Sequence, residues 1–138
     1  MLRNITAGVA GIVAGVVLIS LVQWISHVIV PLPPGFDAAD PEALARLVAQ
    51  MPPLAFILLE LSYVAGALAS GFVAARLART RPMALALVMG GVFTLFNIAN
   101  QLQIPHPAWL AVLTTVTFLP LAWLGGRLAL GFRPSARG

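Results

Sequence analysis

The sequence predicts an all-α integral membrane protein: a four-helix bundle with a short amphipathic helix in the first outer loop. Three observations carry that expectation. Of the 138 residues, 60% are hydrophobic and only 9% are charged, whereas globular domains carry about a quarter charged residues. A soluble chain this apolar has too few polar groups to cover its surface, so lipid is the expected solvent. Four apolar runs each reach the roughly 20 residues that cross a bilayer. The cations, all arginine, gather at the ends of those runs.

The runs are about 5–30, 53–78, 82–101 and 107–130, within one transmembrane domain spanning 1–138. The first is too long for a secretory core and no small-x-small cleavage pattern follows it, so it reads as an uncleaved span. The other three begin at Pro53, Pro82 and Pro107, and proline suits a first helical turn because its missing N–H would have no partner there. Gly131 follows the fourth run and can supply a left-handed helix stop. The second and fourth spans end alike, "ARLARTRP" against "GRLALGFRP", a hint of two duplicated hairpins.

Between the first two spans lies "PLPPGFDAADPEALARLVAQMPP". Its Pro-rich start is extended. Asp40 is then a good N-cap and Pro41 a good first helical residue. Glu42 and Arg46 are one turn apart and can pair. Leu44, Leu47, Val48 and Met51 form one apolar stripe. A helix over about 41–51 is expected, lying on the lipid interface or over the top of the bundle; a lid or a partner dock is the alternative.

Arg3, Arg76, Arg79, Arg81, Arg127, Arg133 and Arg137 fall on one side of the spans, and only Arg46 on the other. The positive-inside rule then puts both termini in the cytoplasm. The arginine-only, alanine-rich usage suggests a high-GC bacterium, hence the inner membrane. The net charge of +4 is a topological signal at span ends rather than a nucleic-acid footprint. With no cysteine, disulfides and thiolate metal sites are excluded.

Helices in lipid meet through small residues. Gly11 and Gly15, Gly66 and Gly71, Gly90, and Gly126 are the expected packing positions. Leu54, Ile57, Leu61, Leu68 and Phe72 fall on the lipid-facing side of the second span, and Trp24 and Trp109 are interfacial anchors. Polar residues collect in the other half. Counting ~1.5 Å per residue from each midpoint, Glu60, Asn97 and Thr114 lie at similar depth. Gln23 is farther out, and His27, Asn100 and Gln101 are closer to the surface. Glu60 shares a stripe with Val64, Ala67, Gly71 and Ala74, so it points into the bundle.

An ionised group at this depth costs at least ~2.5–3.5 kcal/mol, and the arginines are at the far end. Glu60 is therefore either a protonatable group in a pocket that admits a proton, a cation or a small polar molecule, or a neutral hydrogen-bonding staple to Asn97 or a threonine. His27, His106 and Glu60 have no diagnostic metal spacing. No nucleophile motif, carboxylate pair or phosphate loop occurs, so neither catalysis nor a cofactor is expected.

The motifs "PLPPGFDAADPEALA", "PHPAW" and "PLAWLGGRLA" resemble small uncharacterised four-span bacterial inner-membrane proteins, a likeness that brings no activity with it. Four-helix multidrug exporters keep a glutamate in the first span where this chain has Gln23, and DoxX-like proteins match in size but not in motif. Two functions are expected from different classes. One is a non-enzymatic membrane protein that self-associates or joins a larger complex. The other is a small proton- or cation-linked transporter or channel that uses the Glu60 zone.

Overall fold

The computed structural model describes residues 2–37, 39–103 and 107–132. His106, Arg133, Arg137 and most of the "QIPHP" turn lie outside the described residues. The elements are α1 (Leu2–Ile29), α2 (Pro41–Gln50), α3 (Pro53–Leu77), α4 (Pro82–Gln103) and α5 (Ala108–Gly131). Among the described residues there is no strand. Four helices are long and apolar enough to cross a membrane: α1, α3, α4 and α5.

Between 22% and 33% of each span's most apolar window is buried. Large side chains such as Val9, Val17, Leu95, Phe96 and Val116 are exposed. In water that surface would be untenable; in hydrocarbon it costs nothing, because acyl chains are as apolar as leucine. The chain is a multi-pass helical membrane protein.

α3 is the hub. It packs against α1 on one side, α5 on the other and α4 in front, while α1 and α4 barely touch. Close approach is achieved with glycine where backbones meet. A Cβ on Gly71 would overlap the Ala122 carbonyl, and one on Gly125 would overlap the Leu68 carbonyl, so α3 and α5 meet main chain to main chain. Gly11, Gly15, Gly66, Gly90 and Gly126 are likewise buried at helix contacts. Aromatic rings fill the middle: Phe93 stacks on Phe118 at 5.9 Å between centroids, and Tyr63 leans on Phe118 at 5.6 Å.

Details depart from the sequence expectations. Pro107 is the N-cap rather than the first residue of α5. Gly131 is the last helical residue and the cap is Phe132; among the described residues, positive φ occurs at Gly35 and Arg81. Phe132 ends the helix without a left-handed turn because its N–H still finds the Leu128 and Leu130 carbonyls. Leu54, Ile57 and Leu61 are exposed, but Leu68 and Phe72 are half-buried. The glycine at 125 draws α5 over Leu68, and Phe72 packs on the Ala75, Ala86 and Ala129 cluster.

At the arginine-rich end, Asn4 ties α1 to the α3–α4 turn. Its side chain accepts from the Arg79 N–H at 3.0 Å and donates to the Thr80 carbonyl at 3.1 Å. At the opposite end, α2 begins with the Asp40 carboxylate accepting from the Glu42 N–H at 2.9 Å. Arg46 lies 3.5 Å from Glu42 and 3.7 Å from Asp40 on the exposed face.

Candidate functional site

The polar residues of the α2-end half separate around the bundle into three groups. The tightest joins α4 to α5. Asn97 Nδ2 donates to the Thr114 hydroxyl at 3.1 Å and lies 3.4 Å from that of Thr115. Gln101 Nε2 donates to Thr114 at 2.9 Å and reaches the Ala111 carbonyl at 3.2 Å. The geometry follows from helical spacing. Asn97 and Gln101 are one turn apart, so they line the same stripe. Both threonine hydroxyls spend their hydrogen on the Ala111 carbonyl, at 3.2 and 2.7 Å. That leaves oxygen lone pairs facing the amides.

The second group surrounds Glu60. Glu60 is half-buried on α3, with the Thr117 hydroxyl of α5 beside its carboxyl. Thr117 also donates to the Leu113 carbonyl at 2.6 Å, which holds its hydroxyl on the side of α5 that faces α3. The other carboxyl oxygen, Oε2, is buried without a hydrogen-bond partner. One turn away on α3, the Tyr63 phenol pairs with the Asn100 side chain of α4. Glu60 is thus next to a threonine, one of the two partners its position suggests; its hydrogen-bond neighbour is not Asn97.

The third group belongs to α1. Gln23 Nε2 approaches the Ser62 hydroxyl at 3.4 Å, and Ser62 donates to the Leu59 carbonyl at 2.6 Å. His27, one turn on, is exposed. Gln23 and His27 line a cavity of about 240 Å³ between α1, α2 and α3, whose walls do not include Glu60. Asn97 and Asn100 instead border a cleft of about 380 Å³ between α1 and α4, with Ile12, Val16, Phe93 and Phe96. Gln23 and His27 thus face a different space from Asn97 and Asn100.

Sequence reading missed Ser62, Tyr63, Thr115 and Thr117. Tyr63 is the chain's single tyrosine and follows Glu60 by three positions, a spacing that places both on one helix face. The "TTVT" stretch of α5 carries hydroxyls on two faces, and only helix rotation decides which meets Glu60. Among the described residues, no three His, Asp or Glu side chains converge on a metal position.

No protein-family model matches the chain, and neither a curated protein nor a solved structure matches it. The site must be interpreted from its own chemistry.

Proposed function

We propose that this chain is a non-enzymatic integral protein of the bacterial inner membrane that self-associates or serves as a subunit of a larger membrane complex, with both termini in the cytoplasm. The orientation rests on the arginines, seven of eight of which fall at one end. The observation that favours a partner-dependent role is the packing of the arginine-rich half. Where Gly71 meets Ala122 and Gly125 meets Leu68, backbones are in contact and leave no room for water. The chain also has a cleft between α1 and α4, where the half-buried Asn100 and the buried Asn97 sit among apolar walls. Amides at membrane depth favour a protein neighbour over acyl chains.

The test is stoichiometry in lipid. Single-molecule photobleaching of the labelled protein in nanodiscs should show two or more copies per particle, or one copy with a co-purifying membrane protein. Single copies without a companion overturn the proposal.

A second reading draws on the partnerless Oε2 of Glu60. In an assembly of several copies, Glu60, Tyr63, Asn100 and Thr117 could take up a proton or a cation. Glu60→Gln in proteoliposomes decides: loss of a proton- or cation-dependent flux with the assembly intact supports transport, and failure to assemble makes Glu60 a structural staple.

A further inference from the structure

We infer that the cavity beneath α2 is a binding site for a neutral amphiphile, a molecule with an apolar body and a hydroxyl- or carbonyl-bearing head, and that α2 is its lid. The placement of α2 is the starting point. Its stripe of Leu44, Leu47 and Val48 is the apolar face of a strongly amphipathic helix, which ordinarily seals against its neighbours. Here α2 makes no close backbone approach to any of the four long helices. Leu47 and Met51 instead form one wall of the cavity of about 240 Å³, facing α1 and α3 across it. Apolar walls held apart gain most from an apolar filler.

The polar groups define the head. Gln23, Ser26, His27 and Gln50 are the hydrogen-bonding side chains in the lining. Ser26 gives its hydrogen to the Val22 carbonyl at 2.8 Å and so presents an acceptor. Gln23 is held by Ser62 at only 3.4 Å, at the weak limit of hydrogen bonding, and can turn to a guest. No Asp, Glu or Arg lines the cavity. The charges of α2 are turned away, where Arg46 pairs with Asp40 and Glu42. A cationic head would find no carboxylate among the described lining residues, and a neutral one finds both donors and acceptors. The volume lies below the ~300–1,000 Å³ of ordinary small-molecule pockets, so the site holds a head and the start of a chain, with the remainder lying along the bundle in the membrane.

The absence of native cysteine makes the test direct. Ala55 lines the cavity, whereas Arg46 lies on the exposed face of α2. Ala55→Cys and Arg46→Cys proteins in nanodiscs are alkylated with N-ethylmaleimide while n-decanol, dioctanoylglycerol or dihexanoylphosphatidylcholine is titrated in. At ten times the Kd about one-tenth of the cavity is free, so alkylation at position 55 should slow about tenfold there, with the protected fraction rising hyperbolically towards one. Position 46 should not change. Protection by dioctanoylglycerol alone assigns the guest to a membrane lipid; protection by n-decanol alone assigns it to a free solute. Combining Ala55→Cys with Gln23→Leu and His27→Leu should abolish protection, read as the ratio of rates with and without guest in the same variant, and Gln50→Leu gives the same readout if that combination fails to fold. Protection that grows linearly without saturation, that extends equally to position 46, that the zwitterionic phosphatidylcholine matches, or that survives the polar substitutions overturns the assignment.

Discussion

Asn4 donates to the backbone carbonyl of Thr80 at 3.1 Å, joining residues 76 positions apart. The same side chain accepts from the Arg79 N–H, so a single carboxamide satisfies the turn between α3 and α4 and fastens the start of α1 to it. Removing it with Asn4→Ala should cost about 1 kcal/mol, the usual net worth of such bonds. Asn4→Asp keeps the acceptor half and should cost less. Denaturation of the bundle by SDS in mixed micelles measures both.

Gly71 and Gly91 should behave in opposite ways. A side chain at Gly71 meets the Ala122 backbone, which cannot yield, whereas one at Gly91 meets nothing within 4 Å. Gly71→Val is expected to prevent α3–α5 docking and eliminate the folded protein. Gly91→Ala is expected to be neutral or to stabilise by up to about 1 kcal/mol through helix propensity. Size-exclusion profiles and thermal midpoints in detergent separate the two.

Gln101 and Thr114 should be energetically coupled. Their 2.9 Å bond lies within the membrane-facing half of α4 and α5, where such interhelical bonds average about 0.6 kcal/mol in double-mutant cycles. Gln101→Leu and Thr114→Val, alone and together, should return a coupling of that size. A coupling near zero would mean that Asn97, which shares the threonine, carries the joint alone.

Ser70 should gain nothing from its hydroxyl. The group is fully buried and has no hydrogen-bond partner. Ser70→Ala removes an unsatisfied polar atom and keeps the small-residue contact, so stability should be unchanged or slightly higher. A loss above about 1 kcal/mol would reveal a partner for that oxygen.

Asp40→Ala should loosen α2 alone. The carboxylate caps the helix at the Glu42 N–H, a contact worth about 1 kcal/mol. Amide exchange over 42–50 should accelerate while exchange in α1, α3, α4 and α5 stays as it was.

The one-dimensional features of this protein were legible and the rotational ones were not. Spans announce themselves by apolar length, and α2 by Asp40, Pro41 and an apolar stripe, because each signal is local. A fixed rise per residue also puts Asn97 and Thr114 level with one another, and the two do bond. Azimuth was not legible, since lipid-facing and buried positions are both apolar and α3, α4 and α5 lack a charged face to orient them. Leu68 and Phe72 therefore read as lipid-facing although α5 covers them, and which threonine meets Glu60, Thr117, depends on the rotation of α5. Which helix is the hub also escapes the sequence, because neighbour relations depend on how the whole bundle closes.

α1 leans almost wholly on α3, and it is synthesised before α3 exists. While the ribosome is still making α2, the first helix must endure alone among fatty-acid tails. Mean hydropathy follows that schedule: 2.5 for α1, 1.8 for α3 and α4, and 1.6 for α5. The pioneer is the greasiest, and the later arrivals tolerate more polarity because neighbours already wait to receive their amides and hydroxyls.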